Sequence, residues 1–397
     1  MSREGAGPTT WRLTGAAWAA LFVFATTSTL LSISLKQIGD EFGIGLARRG
    51  ALAAVRAGAL AVSALCIGRA ADRWGKKGFL VLAMLATGAG LVWIGSSSAY
   101  GSLVAGMIVL ALGLGAVEAL TSPLVAELHP RNVAQQMNLL HAFYPAGIVL
   151  PSLLVGWVLT SGVAWRQPFR LAALPALVVG LIFLSGRYPG EEAENRPVRL
   201  TVGQILKNPT FWPLALAMLL GAGCEGGLFY WIPNFLQAQY GVTPMVGGLA
   251  LTLYSAAMMA GRLGMGAAAG VLTPGGILLR VALAGGVASL ALALIPGLAW
   301  SLVLIGVTGL CVAAFWPGTL SLAAGRISTG SATLFAMLSV AGIIGFGLTP
   351  LAIGAAGEWL GLRAGLCVVP VAFAGLYVVF LVVLRAKDAG EDEEGER

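Results

Sequence analysis

The sequence predicts an all-α membrane protein with twelve transmembrane helices in two pseudo-symmetric bundles of six. Three observations predict it. Only 10% of the 397 residues are charged, against about 25% in soluble globular domains, and the mean hydropathy is +0.87. Twelve stretches are apolar enough and long enough to cross hydrocarbon, which takes roughly 20 residues of helix. One long polar interval, Arg187 to Pro209, divides them six and six. Apolar surface on this scale must face something apolar, and a bilayer supplies it.

The first six stretches are Leu13–Leu35, Gly50–Ile67, Gly78–Ser97, Leu103–Ala126, Asn138–Ser161 and Phe169–Gly186. The second six are Phe211–Leu236, Val246–Val271, Gly276–Ile295, Ala299–Ala324, Ser331–Ala355 and Ala364–Leu384. Membrane β-strands are excluded by length, since those are about 10 alternating residues. The first stretch is long and lacks a small-x-small cleavage site, which reads as a retained helix. The 56 glycines sit among Leu, Val and Ala rather than Ser, Pro and charges, which predicts close helix packing in lipid. Cys66, Cys224, Cys311 and Cys367 all lie in apolar stretches without metal-ligand spacing and read as small buried hydrophobes, not disulfides or ligands.

Four regions follow: a bundle over 1–186, a linker over 187–209, a bundle over 210–385 and an unstructured acidic tail over 386–397. The linker ends in a short amphipathic helix on the membrane surface. Thr201 would cap it, Val202, Ile205 and Leu206 would share its apolar face, and Asn208-Pro209 would end it. The halves echo each other weakly, with prolines at Pro123 and Pro317 of their fourth stretches. Repeated bundles of this kind are common in transporters.

Orientation follows from the loop cations. Of 24 Lys and Arg, six (Lys36, Arg48, Arg49, Arg166, Arg170, Arg363) fall opposite the N-terminus, Arg56 falls inside a span, and the rest fall on the N-terminal side. Both termini are therefore expected in the cytoplasm, with the chain in the cell (inner) membrane. The net charge of +7 is explained by these cations and predicts no nucleic-acid partner. No metal cluster, nucleophile elbow or phosphate loop is present, so neither an enzyme nor a cofactor is expected.

The loop after the second stretch reads Gly68-Arg69-Ala70-Ala71-Asp72-Arg73-Trp74-Gly75-Lys76-Lys77. It resembles the major facilitator signature G-x-x-x-D-[RK]-x-G-[RK]-[RK] at every fixed position. A tight positive-inside turn explains Arg73, Lys76 and Lys77 but not Asp72 or the glycine spacing. Gly68 would permit close helix contact, and Gly75 a turn backbone. The resemblance implies a major facilitator fold, in which Asp72 faces the N-terminus of the eleventh helix near Thr329, Gly330 and Ser331. The helix dipole favours an anion there, and the contact would latch the halves on the cytoplasmic side. The second half keeps Gly261, Arg262 and Gly266 but lacks the charged loop.

Ionisable residues inside spans mark pathways or relays, and Arg56, Glu118 and Glu225 stand out here. Arg56 lies twelve residues before Gly68, about 18 Å along a helix, and Glu118 about 12 Å from its own helix end. The similar depths admit a buried Arg–Glu pair. Glu118, Thr121 and Ser122 share a polar face by i, i+3, i+4 spacing. Four glycines surround Glu225 in Gly221–Gly227, which reads either as an unwound helix or as close packing. Tyr230, Asn234 and Gln237 form a further polar stripe. Each acid has a structural alternative, as an ion pair or hydrogen bond that fixes helix register.

His141 and Asn138 share a face of the fifth stretch and read as substrate or helix contacts. His129 reads as an interfacial, solvated residue. Thr26, Thr27, Ser28 and Thr29 either line a cavity or bond their own backbone carbonyls. Trp316 and Tyr254 are candidate sugar-stacking surfaces, with aromatic packing as the alternative.

Gly113-Leu114-Gly115-Ala116-Val117-Glu118 followed by Ser122-Pro123 resembles the fourth helix of the fucose-permease-type branch. Asn138–Gly147 is similar to its fifth helix, and Gly223-Cys224-Glu225 with Trp231 to its seventh. The branch implies proton-coupled sugar uptake, with Glu118 in substrate binding or protonation. The first stretch departs from the branch, since it carries no acid where the fucose symporter does, and this leaves Glu225 or Glu118 as proton carrier. Leu150-Pro151-Ser152-Leu153-Leu154 departs from the Gly-Pro and Gly-Gly pattern of drug antiporters. The expected partners are a small-molecule substrate, protons (with sodium left open) and the bilayer, for a monomeric chain. The alternatives are a proton-coupled exporter of amphipathic or drug-like molecules and a non-transporting sensor or lipid-handling protein.

Overall fold

The computed structural model describes residues 8–186, 188, 201–268, 274–327 and 332–395, with 8–9, 69, 72, 134, 138, 265–268, 274, 332 and 386–395 described by backbone alone. It holds fifteen helices among these residues. The first half contributes α1 (Pro8–Glu41), α2 (Leu46–Trp74), α3 (Lys76–Ser96), α4 (Tyr100–Leu128), α5 (Val133–Thr160) and α6 (Arg166–Ser185). After the short α7 (Val202–Lys207) come α8 (Phe211–Tyr240), α9 (Pro244–Ala268) and α10 (Pro274–Leu294). The last are α11 (Leu298–Val312), α12 (Phe315–Arg326), α13 (Ala332–Leu360), α14 (Leu362–Gly365) and α15 (Val368–Gly395). Twelve helical stretches are long and apolar enough to cross a membrane, each overlapping one of the twelve apolar stretches of the sequence. The chain is a multi-pass α-helical membrane protein.

The helices are apolar on their outer faces, the reverse of a soluble helix. On α6, Leu171, Leu174, Val178, Leu181 and Leu184 are all more than half exposed and fall on one stripe. Buried polar groups lie inside instead: Thr14, Thr27, Thr87, Asn234, Ser255 and Thr308 are almost fully enclosed.

α1 outruns its apolar stretch because Lys36 pairs with Asp40 one turn on, so the polar end stays helical through Glu41. That end is held by Arg166, whose Nη1 lies 2.6 Å from Glu41 Oε1, and by Trp165 Nε1, which donates to Glu41 Oε2 at 2.7 Å. The tenth span breaks between α11 and α12. Pro317 has no N–H for the carbonyl of Ala313 and its ring crowds that turn. Pro123, by contrast, lies inside a continuous α4.

Close packing in the first half runs through glycine. A Cβ added at Gly113 would overlap the Ala83 carbonyl oxygen, and one at Gly115 the carbonyl of Leu60. α4 therefore touches the backbones of α3 and α2 just before Glu118. Gly75 has φ +81° and provides the turn between α2 and α3, as its place in the loop predicts.

Several local expectations are corrected. α7 does have the Thr201–Gln204 capping box, but only Ile205 turns fully inward. It packs with Phe211, Met218, Leu334 and Leu338, while Leu206 is 40% exposed. Ile205 is thus the apolar residue by which the helix enters the core of its bundle. α15 continues as helix through Gly395, into the stretch where composition predicts an unstructured tail. Cys66 is exposed, although Cys224 and Cys311 are buried. Among the described residues nothing lies within 4 Å of a Cβ placed at Gly68, so close helix contact does not explain that glycine. Thr329, Gly330 and Ser331, where Asp72 would dock, lie outside the described residues.

The chain forms two compact units. The first comprises Met1–Ile44, Val55–Glu194 and Leu236–Thr252, and the second Gly45–Ala54, Asn195–Phe235 and Leu253–Arg397. The start of α2 thus belongs with second-half helices, and the end of α8 with the start of α9 belongs with first-half helices.

Candidate functional site

In the second unit, Glu225 sits midway along α8 and is 7% exposed. The four glycines around it leave α8 unbroken from Phe211 to Tyr240, so packing, not unwinding, is their role. A Cβ at Gly226 would overlap the Phe346 carbonyl, and one at Gly223 would overlap Thr349 Oγ1. Across the contact, a Cβ at Gly345 would overlap the carbonyl of Leu219. α8 and α13 therefore meet backbone to backbone.

The carboxylate of Glu225 faces Arg262 of α9, with Nη2 3.8 Å from Oε2. That separation is an ion pair beyond hydrogen-bond reach. Arg262 Nη2 also points at Met258 Sδ, 3.7 Å away, and its Nε is buried without a protein partner. The Tyr254 hydroxyl donates to the backbone carbonyl of Glu225 at 3.2 Å. Tyr254 is therefore fixed by a hydrogen bond and fully enclosed, which favours packing over stacking on a ligand. The sequence offered Arg262 only as a loop-side cation; its pairing with Glu225 joins residues on different helices that no local spacing connects.

The stripe that follows Glu225 is buried. Tyr230 packs edge-on against Phe229 and Phe346, with ring centroids 5.5 and 5.8 Å away. Trp231 Nε1 donates to the Pro350 carbonyl at 2.9 Å. Asn234 is fully enclosed and neither of its amide atoms finds a protein partner. Trp316 lies against Gly342 and packs on the apolar cluster beneath α7.

In the first unit, Arg56 of α2 is 4% exposed. Its Nη2 donates to Thr27 Oγ1 at 3.1 Å, and its guanidinium stacks over Phe24, 5.4 Å from the ring centroid. Glu118 is half-buried on α4. The Arg56–Glu118 pair admitted by their depths does not form: no ion pair joins them among the described residues. Thr27 donates in turn to the Phe24 carbonyl at 2.7 Å, and Thr26 and Thr29 bond the carbonyls of Phe22 and Ala25. These threonines thus use their own backbone, and Thr27 alone reaches a charged group as well. Thr121 does the same through Val117, leaving Glu118 and Ser122 as the open part of that face.

His141 is exposed on α5, and the Asn138 side chain lies outside the described atoms. His129 corrects the sequence reading. It is 8% exposed, its Nε2 is 2.7 Å from Thr14 Oγ1, and its ring lies 5.0 Å from that of Trp11. Burial holds its imidazole below the usual histidine range. In the signature loop, Lys76 Nζ binds both carboxylate oxygens of Glu127 at 2.7 and 2.9 Å, tying the start of α3 to the end of α4. Arg73 stacks on its neighbour Trp74, and Lys77 is exposed. Among the described residues no cluster of His, Cys, Asp or Glu could hold a metal ion.

Comparison with known proteins agrees with this architecture. Residues 17–333 match the family model of the Major Facilitator Superfamily. The cis,cis-muconate transport protein of Acinetobacter baylyi is 24% identical over 60% of this chain and 62% of its own length. Myo-inositol transporter 3A of Cryptococcus neoformans is 28% identical over 45% of this chain and 32% of its own length. The chain thus spans less than two thirds of these curated relatives. Among solved structures, a bacterial homologue of the human lysosomal transporter Spinster superposes with a TM-score of 0.81 at 17% identity, covering 96% of this chain and 98% of that one. The fucose:proton symporter of E. coli gives 0.65 at 16% identity, covering 93% and 98%. At these identities the structural likeness speaks for the fold.

Proposed function

From membership of the Major Facilitator Superfamily, to which this chain belongs, we propose that it is a secondary active transporter that moves a small polar solute across the membrane by alternating access, coupled to protons. Its two six-helix halves, 1–186 and 210–385, exchange the exposure of a site between them. Both termini face the cytoplasm of the cell membrane, on the bias of the loop cations. Relatives named for myo-inositol transport support a sugar or polyol as substrate.

The observation that carries the coupling is the Glu225–Arg262 pair. A carboxylate almost sealed from water faces a cation at 3.8 Å with no hydrogen bond between them. Intramembrane acids are costly and mark pathways. Protonation removes the charge on Glu225 and releases Arg262, so the proton alters what holds α8 to α9. Glu118, half-buried and open beside Ser122, is the second acid in the scheme. Uptake driven by a pH gradient in proteoliposomes tests this: Glu225→Gln and Glu118→Gln should each abolish gradient-driven accumulation while leaving solute exchange. Intact accumulation in the double variant would defeat the proposal.

A second reading of the substrate, a small organic carboxylate, is favoured by the buried Arg56 guanidinium beside Thr27 and by the relative named for muconate transport. A thermal-shift screen of polyols and dicarboxylates at two pH values separates the readings, with Arg56→Gln abolishing the response to carboxylates alone.

A further inference from the structure

In each half the third and sixth spans pack antiparallel. In the first half a Cβ on Gly180 of α6 would meet Met84 of α3, and one on Gly95 would overlap the Arg166 carbonyl. In the second half a Cβ on Gly275 of α10 would overlap Leu384 of α15, and one on Gly285 would overlap Phe373. At the end where the third span stops and the sixth starts, one arrangement of residues occurs twice.

The chain enters each sixth span through a glycine with φ +84°, Gly162 or Gly361, a backbone that residues with a side chain rarely adopt. An arginine follows, Arg166 as the first residue of α6 and Arg363 as the second of α14. Each arginine donates to carbonyl oxygens at the end of the third span. Arg166 Nε and Nη2 reach the Ser97 carbonyl at 3.0 and 2.8 Å. Arg363 Nη1 reaches those of Ala293 and Ile295 at 3.4 and 3.3 Å. The last carbonyls of a helix lack intrahelical partners and carry the negative end of its dipole, so a cation is favoured there. Ser97 precedes its arginine by 69 residues and Ile295 by 68, so the two contacts match in register.

Each arginine also touches the first span of its half. Arg166 Nη1 binds both carboxylate oxygens of Glu41, the last residue of α1, at 2.6 and 2.8 Å. Its guanidinium lies 5.7 Å from the ring centroid of Phe42. Arg363 lies over Phe235 of α8, 5.4 Å from the centroid. A guanidinium can serve several elements at once because its donors form a planar fork and its face stacks on rings, whereas an ammonium is a point charge. The Arg166 set lies within the first compact unit and the Arg363 set within the second.

We propose that Arg166 and Arg363 are a duplicated brace: each ties the ends of the first, third and sixth spans of its half into a block, so that these ends move together when the protein works. The first brace is the stronger, since it holds a carboxylate as well as a carbonyl, and at shorter distances. The proposal goes beyond the transport reading. Its test uses no solute, so either can fail while the other stands.

Hydrogen–deuterium exchange of the full chain in nanodiscs reads the helix ends at residues 37–44, 92–98 and 290–297. In Arg166→Gln, exchange should rise about tenfold at both 37–44 and 92–98, as the loss of a charge-assisted bond implies, with 290–297 unchanged. Arg363→Gln should raise 290–297, by a smaller factor, and leave both first-half ends unchanged. Arg166→Lys keeps a charge for Glu41 but loses the fork, so 92–98 should open while 37–44 stays near the parent. Glu41→Gln should do the reverse. A rise at only one end in Arg166→Gln would overturn the brace, as would an Arg166→Lys protein that matches the parent at both ends. An equal rise through the middle of α3 would overturn it too, because that is general loosening rather than a lost tie. If Arg166→Gln does not fold, the other two variants decide: identical exchange patterns in Arg166→Lys and Glu41→Gln would refute the proposal.

Discussion

Removing Arg262 tests whether the buried pair is coupled. At about 4 Å and an effective dielectric near 20, two unit charges attract by about 4 kcal/mol. The Arg262 side chain is 34% exposed and the pair lacks a hydrogen bond at 3.8 Å, so solvent screens much of that, leaving roughly 1–2 kcal/mol of coupling. A double-mutant cycle over Arg262→Ala and Glu225→Gln isolates it. Arg262→Ala alone leaves a carboxylate enclosed by α8, α9 and α13 with its cation gone, and should be the least stable of the four proteins. In the Glu225→Gln background the same change should cost 1–2 kcal/mol less, on the same screened estimate. Unfolding free energies in mixed micelles, followed by tryptophan fluorescence, give the four corners. An equal cost of Arg262→Ala in both backgrounds would refute the coupling, and with it the idea that protonation of Glu225 frees Arg262.

Two further outcomes follow from the packing. His129 is buried neutral against Thr14 and Trp11, with its folded pKa below the ordinary value. The unfolded chain therefore binds the extra proton first, so stability falls as pH drops through about 6.5 and levels off once pH is below the folded value. His129→Gln should flatten that part of a stability–pH profile, and an unaltered slope would show that His129 is not its source. Gly58 faces open space while Gly113 abuts the Ala83 carbonyl. Gly58→Ala should accordingly raise stability by up to about 1 kcal/mol through helix propensity, whereas Gly113→Ala should lower it, as thermal unfolding in detergent would record.

The fold was legible because lipid imposes a one-dimensional rule. Each span must be apolar for some twenty residues, and the twelve stretches stand out along the chain without any knowledge of partners. Where the rule ends, so does legibility. α1 extends past Leu35 because Lys36 and Asp40 pair along the helix, and hydropathy does not register that. His129 reads as solvated from its place at a helix end, yet α1 brings Thr14 and Trp11 over it. The acids were visible as charges out of place, whereas Arg262 as the partner of Glu225 was not. Arg56 and Glu118 show the reverse case: similar depth admitted a pair, but the guanidinium turns toward Thr27 and Phe24 instead. Depth along a helix is written in the sequence, and azimuth between helices is not.

Glycine joins the fold to the proposed mechanism. In lipid there is no hydrophobic force between helices, so association relies on close backbone contact and hydrogen bonds. A contact made by large interlocking side chains would be slow to part and hard to re-form in register. A glycine against a carbonyl lets the two backbones approach closely. At Gly113, Gly115, Gly226 and Gly345 the close contacts lie between helices of one half. At Gly50, Gly248, Gly354 and Gly156 they lie between helices of different halves, and each pair ends in one replaceable hydrogen bond, from Ala47 or from Met245. The same residue thus packs helices within one half and, beside a capped helix start, helices of different halves.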